Sequence, residues 1–200
     1  MGGTRPGILA VVLAGGLARR MGGGDKTLLP LGGQPMLSVL MERLRPQAAA
    51  FAISANGDPS RFAAVAPGVP VLADPLPGFP GPLAGVLAGM DHAASLGLDM
   101  VLTVPGDTPL VPMDLAARLH AAASPIACAA SAGRMHPPVA LWPAGLRDDL
   151  RAAMATGEGK VSRWAARHGC MPVEWPGDPF LNANAPEDLA ALEAAMARGA

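Results

Sequence analysis

The sequence predicts an α/β fold, a three-layer sandwich built around a mostly parallel, Rossmann-like sheet. Apolar runs recur at Ile8 to Ala14, Phe51 to Ala55, Val69 to Ala73 and Met100 to Val104, as expected of strands covered on both faces. Each run stops at a dense turn signal: Gly15-Gly16, Asn56-Gly57-Asp58-Pro59, Asp74-Pro75 and Pro105-Gly106-Asp107. Stretches with helical apolar spacing lie between them, and strand–helix alternation is how parallel sheets are written in sequence. No linker or internal repeat divides the 200 residues, so one domain spanning 1–200 is expected.

Composition narrows the function classes. Fifteen Lys/Arg against sixteen Asp/Glu give a formal charge of −1, with no basic run beyond Arg19-Arg20. Nucleic acid is therefore not an expected partner. Cys128 and Cys170 are far apart in sequence, which argues against a disulfide framework or thiolate metal site and suits a reducing cytoplasm. Arg5 followed by an apolar run superficially looks like a secretion signal. However, no small-residue cleavage pattern follows, and the run leads straight into a glycine loop. No segment reaches the roughly 18–20 apolar residues that a membrane span needs, so no membrane partner is expected.

The first strand carries the strongest functional signal. Gly15-Gly16 closes it, and Gly22-Gly23-Gly24 follows after Arg19, Arg20 and Met21. Glycines let bare backbone N–H groups approach a ligand, and Arg19, Arg20 and Lys26 add positive charge to the same loop. Donors plus cations point to a polyphosphate, although a glycine-rich loop after a strand is also a common plain turn. The loop is not a Walker A, because Asp25 rather than glycine precedes Lys26 and Thr27. Nor is it a dinucleotide fingerprint, since the second glycine cluster comes too late to open a helix.

Downstream, Met36 to about Arg45 reads as a helix with Leu37, Leu40, Met41 and Leu44 as its buried stripe. Asp74 ends a strand, where open α/β sheets place ligands, but Asp74-Pro75 is also good turn chemistry. A helix from about Leu83 to Leu96 opens with Pro82 near its first turn and offers its positive end to the same edge. Asp107 lies just past the fourth strand, between Gly106 and Thr108-Pro109. One carboxylate so placed suits Mg²⁺, which completes its octahedron with phosphate oxygens and water.

Val111 to about Ala122 reads as a helix, Pro125 to Ala130 as a strand, and Val139 to Trp142 as another, the pair forming an antiparallel excursion. His136, beside Pro137 and Pro138, reads as an ordered loop residue. Helices are expected over Leu146 to Met154 and Val161 to about His168, with Lys160 and Arg163 as solvated cations or phosphate contacts. Asn182 and Asn184, at i and i+2 of an extended segment, point to one side. Asn184 is expected to cap the last helix ahead of Pro186, while Asn182 reaches into the site.

Leu13-Ala14-Gly15-Gly16, three residues, Arg20-Met21-Gly22-Gly23, one residue, then Asp25-Lys26 resembles the signature of nucleotidyltransferases with the nucleotide-diphospho-sugar transferase fold. Within them the chain looks most like the molybdenum cofactor guanylyltransferase family. Pro80-Gly81-Pro82-Leu83-Ala84-Gly85 and the Asn-x-Asn-x-Pro-Glu-Asp-Leu run from Asn182 to Leu189 match that family as well. The resemblance implies transfer of GMP from Mg-GTP to molybdopterin or Mo-molybdopterin, with release of pyrophosphate. It further implies molybdenum-insertion proteins and molybdoenzyme chaperones as partners.

The same resemblance implies GTP contacts at Leu13, Ala14, Gly15, Gly16, Lys26, Ser54, Asp74 and Asp107. Arg20 and Lys26 would meet the phosphate charge, Asp107 the Mg²⁺, Asn182 and Asn184 metal, phosphate or acceptor, and His136 the pterin half. Two positions depart from the family pattern. Gly106 stands where cysteine is usual, and Ser54-Ala55-Asn56 replaces Asn-Ala-Asn, so the usual nucleotide contact falls on a shorter serine. The rival readings are a relative using CTP on molybdopterin or a nucleotide on a sugar phosphate, and a non-catalytic nucleotide-binding protein.

Overall fold

Alternate side chains of strand β1 (Ile8–Leu13) enter two different cores. Ile8, Ala10 and Val12 face one, Leu9 and Val11 the other, and all five are almost fully buried. A run that is apolar at every position is what a strand sandwiched between two helix layers requires. The computed structural model describes residues 7–15, 25–76, 81–122 and 124–198. Arg20 and Gly16, both expected at the site, lie outside them.

After β1 come a small hairpin of β2 (Pro30–Leu31) and β3 (Gln34–Pro35), helix α1 (Met36–Leu44), β4 (Ala50–Ser54) and β5 (Val71–Leu72). Then follow α2 (Pro82–Ser95), β6 (Met100–Pro105), α3 (Leu115–Ala121), β7 (Ala127–Ser131) and β8 (Arg134–Pro143). The chain continues with α4 (Arg147–Ala155), α5 (Val161–Arg167), β9 (Met171–Trp175) and α6 (Pro186–Ala197). Among the described residues the main sheet runs β5-β4-β1-β6-β8-β7-β9. Every pairing in it is parallel except those of β8, which is antiparallel to both β6 and β7.

Helices α1 and α3 cover one face through Leu37, Leu40, Leu44, Leu115 and Leu119. Helices α2, α4 and α5 cover the other through Leu83, Leu87, Met90, Leu150 and Trp164. The expected three-layer α/β sandwich is thus present. A third cluster, with Leu31, Met36, Leu110, Ala183 and Leu192, fastens α6 and the hairpin β2–β3 near the carboxyl ends of the strands.

Four boundaries differ from the sequence reading, each for a local reason. The third apolar run yields only Val71–Leu72 as strand, because it forms a sheet edge closed by Pro70 and Asp74-Pro75. Helix α3 begins at Leu115 rather than Val111. The Val111 and Pro112 carbonyls accept instead from Arg43 Nε (2.6 Å) and Gln47 Nε2 (3.0 Å) of the α1 region, and a turn precedes the helix. His136 is not in a loop but within β8. The pairing of β8 with β7 jumps from Ala140 to His136 at the Cys128/Ala129 step, so Pro137 and Pro138 occupy the irregularity, where no ladder donor is required. Strand β9 had no expectation at all: Met171-Pro172-Val173-Glu174-Trp175 is a half-exposed edge strand with a proline inside it.

Cys128 and Cys170 are distant in sequence but lie together in the second core as free thiols. The neighbouring Cys170 thiol first, and burial second, push the Cys128 thiol far up in pKa.

Candidate active site

The carboxyl ends of β1, β4, β5 and β6 open into a cavity of about 490 Å³. Its walls carry Leu13 and Gly15 after β1, Ser54, Ala55 and Asn56 after β4, Asp74 after β5, and Pro105 and Asp107 after β6. Lys26, Thr27, the α2 start at Gly81-Pro82 with Gly85, Pro138 of β8, and Asn182 complete it. A cleft at the carboxyl edge of a parallel sheet is where this architecture binds ligands. The positive end of α2 faces it, with Gly81 at φ +125° and Pro82 in the first turn.

Lys26 is the hub of the polar wall. Its ammonium donates to Asn184 Oδ1 at 2.7 Å and lies 3.5 Å from Asp107 Oδ2. The turn carrying Lys26 is fixed by Asp25, whose Oδ1 accepts from Thr27 N (3.0 Å) and Thr27 Oγ1 (2.7 Å). Asp107 is held through its backbone: the Asp107 carbonyl accepts from Ala183 N at 2.8 Å, which draws the 182–184 segment over the cleft. Thr108 Oγ1 donates to Asn182 Oδ1 at 2.9 Å, so Asn182 offers the cleft its amide donors.

Only Asn184 departs from its expected capping role. Asp188, not Asn184, caps α6, its Oδ2 accepting from Asn184 N and Ala185 N at 2.8 Å each. The carboxylate satisfies the free N–H groups ahead of Pro186, which leaves the Asn184 amide for Lys26. Asn182 does line the cleft, as expected.

On the opposite wall, Asn56 grips Asp74. Asn56 Nδ2 donates to Asp74 Oδ2 at 2.7 Å and Asp74 N donates to Asn56 Oδ1 at 3.0 Å. Ser54, the last residue of β4, is buried against α2, because Gly85 brings the helix so near that a Cβ there would lie 2.6 Å from both Ser54 Oγ and Leu13 Cδ2. Leu13, Gly15, Lys26, Ser54, Asp74, Asp107 and Asn182 are therefore brought together. Ala14 is buried beside them, its N–H donating to the Ser54 carbonyl at 2.9 Å.

His136 lies apart from the cleft walls. It is buried against Phe180 (ring centroids 5.0 Å apart), and its Nε2 is 2.8 Å from Ser131 Oγ. Since Ser131 Oγ donates to Asp178 Oδ1 at 3.0 Å, the hydroxyl accepts from His136 Nε2–H. Burial, and secondarily the Arg134 cation, lowers the imidazole pKa against the opposing pull of Asp178 and Glu174. Neither Lys160 nor Arg163 lines the cleft, and Arg163 pairs with Glu158 at 3.4 Å. Sequence reasoning missed Thr27, Asn56 and Pro138 as cleft residues. Thr27 and Asn56 were visible only as neighbours of stronger signals, and Pro138 only as a turn former.

A family model for the MobA-like NTP transferase domain matches residues 10–171, a span that runs from within β1 to the first residue of β9. The chain belongs to this family. Among individual MobA-like relatives, a molybdenum cofactor guanylyltransferase of Rhodopseudomonas palustris (strain BisB5) is 52% identical over 198 residues, covering 94% of this chain and 93% of that one. One from Cereibacter sphaeroides is 50% identical over 195 residues, covering 96% and 99%. The molybdopterin-guanine dinucleotide biosynthesis protein A of Archaeoglobus fulgidus superposes with a TM-score of 0.74 at 21% identity, covering 96% and 99%, which shows the shared fold. The MobA-like chain is thus a nucleotidyltransferase of the nucleotide-diphospho-sugar transferase fold.

Proposed function

We propose that the chain, acting as one domain, transfers GMP from Mg-GTP to the terminal phosphate of molybdopterin or Mo-molybdopterin, releasing pyrophosphate, in the cytoplasm. The observation that carries this reading is Lys26 set between Asp107 and Asn184 in the cleft at the strand ends. The names borne by relatives about 50% identical over nearly the whole chain support the choice of substrates. No described helix is long and apolar enough to cross a membrane.

In this reaction an acceptor phosphate oxygen attacks the α-phosphorus, and the bond to the bridging oxygen of the β-phosphate breaks, its electron pair leaving with pyrophosphate. The acceptor is already an anion, so no general base is needed. Positioning and charge stabilisation do the work. Lys26 meets charge developing on the phosphate oxygens, and its bonds to Asn184 and Asp107 aim the ammonium while leaving one further donor. Asn182 adds neutral donors, and the wall from Leu13 to Gly15 with Ser54 and Asp74 accommodates the nucleotide. By the family resemblance Arg20, outside the described residues, adds a second cation.

Asp107 fits Mg²⁺ on chemical grounds. It is half-buried at the cleft, and no cluster of three or more acidic, His or Cys side chains exists among the described residues. A lone carboxylate suits a cation that arrives on nucleotide phosphates, not one caged by protein. Mg²⁺ held there would neutralise phosphate charge. Incubating the protein with molybdopterin and either GTP or CTP, followed by mass analysis of the product, tests the proposal. A guanine dinucleotide is expected, and a cytosine dinucleotide or no adduct contradicts it.

A further inference from the structure

The two polar walls of the cleft come from separate segments, and one side chain outside the cleft joins them. Arg61 sits in the 3-10 turn Pro59–Phe62 after β4. Its Nε donates to Asp25 Oδ2 at 3.1 Å, one terminal nitrogen to the Asn56 carbonyl at 2.8 Å, and the other to the Asp58 carbonyl at 2.6 Å. The guanidinium also rests 4.5 Å over the buried Phe62 ring. Three acceptors and a ring hold it in one place. The Asp25 side chain that it grips is only 9% exposed.

Two of its three partners, Asp25 and Asn56, bear directly on the cleft. Asp25 fixes the turn bearing Lys26 and Thr27 through its other oxygen. Asn56 is the residue whose amide holds Asp74 in a reciprocal pair. Neither Arg61 nor Asp25 lines the cleft, whereas Lys26, Thr27, Asn56 and Asp74 do. All three guanidinium nitrogens are used, each toward a different acceptor, and the compact ammonium of lysine lacks that fixed planar spread, so lysine is not equivalent here.

We propose that Arg61 is a positioning residue: through Asp25 and Asn56 it sets the spacing between the phosphate-binding wall and the Asp74 wall, so that one nucleotide engages both at once. This rests on the nucleotidyl-transfer reading of the cleft. Binding two ends of one ligand to two walls gains affinity only while the walls stay in register, as with any linked pair of sites. Loss of the arginine leaves each wall chemically intact but separately placed.

The test compares wild type, Arg61→Lys, Arg61→Gln and Asp25→Asn for binding of GTP with Mg²⁺, of guanosine alone and of tripolyphosphate alone. Asp25→Asn keeps the oxygen that Thr27 uses and replaces the one that Arg61 uses, so it serves should Arg61→Gln not fold. The expected result is a loss of GTP affinity of roughly 10-fold or more, with guanosine and tripolyphosphate binding unchanged. The Arg61→Gln/Asp25→Asn double variant should be no worse than the worse single one. Unchanged GTP binding, or equal weakening of all three ligands as in a merely structural role, overturns the proposal. Wild-type protein that binds neither GTP nor its halves would instead overturn the underlying reading of the cleft, and this inference with it.

Discussion

Gly106 is bare because Thr27 stands where its side chain would be: a Cβ at 106 would fall well inside van der Waals contact with Thr27 Cγ2 and 3.3 Å from Val12 Cγ1. Thr27 is itself buried and anchored to Asp25, so it cannot readily retreat. The departure from the family's usual cysteine is thus compensated on the neighbouring turn. Gly106→Cys should cost about 1–3 kcal/mol of stability as an overpacked site. Adding Thr27→Ser, which removes Cγ2 but keeps the hydroxyl, should recover much of it. Chemical denaturation of the two single variants and the double variant measures this, and additive losses would refute the packing argument.

Removing the Lys26 ammonium takes a positioned cation from the cleft and leaves the Asp107 carboxylate without it. Lys26→Ala should lower turnover by on the order of 10²-fold or more, roughly 3 kcal/mol, by analogy with other pre-organised charge stabilisers. Steady-state kinetics at saturating nucleotide gives the number. Unchanged turnover removes Lys26 from the mechanism.

His136 should make stability pH-dependent. Its pKa is lowered in the folded chain by burial first and Arg134 second, so the unfolded chain takes up the proton earlier as pH falls. The stabilisation is complete above about pH 6.5, the ordinary histidine value, and is lost progressively as pH drops from there toward the folded pKa. His136→Gln, which can still bond Ser131, should flatten the unfolding free energy over that interval. An identical acid-side slope in the variant would contradict this assignment.

Gly85 is required for close approach rather than for backbone freedom. A methyl group there meets Ser54 and Leu13 at 2.6 Å, both on the cleft wall. Gly85→Ala should therefore cost about 1–3 kcal/mol and weaken nucleotide binding at the same time. Thermal melts with and without GTP separate the two effects, and a variant with wild-type melting and ligand-induced shift would show that α2 can move away freely.

The sequence revealed the layers better than the contacts. Strands β1, β4 and β6 were legible because burial on both faces favours near-continuous apolar runs, with buried Ser54 and Thr103 as the polar exceptions. Helix α1 showed the spacing of its buried stripe, and α2 was marked by Pro82 at its start. Strands β5 and β9 lie at sheet edges, where one flank is free and prolines are tolerated, so their signal was faint. His136 and Pro138 were hidden because a strand irregularity and a turn use the same residues. The site suffered differently. Asp74, Asp107, Lys26 and Asn182 were found from strand ends and family spacing. The pairings Asn56–Asp74, Asp25–Arg61 and Lys26–Asn184 join residues far apart in sequence, and the capping of α6 by Asp188 rather than Asn184 depends on which of two local hydrogen bonds outcompetes the other.

The most direct measurement is pyrophosphate release with Mg²⁺ and molybdopterin, comparing GTP with CTP and wild type with Asp107→Ala. Release with GTP alone, abolished in Asp107→Ala, is the result required if Asp107 serves a GMP transfer in this cleft. Release that prefers CTP, or that persists undiminished in Asp107→Ala, would contradict it.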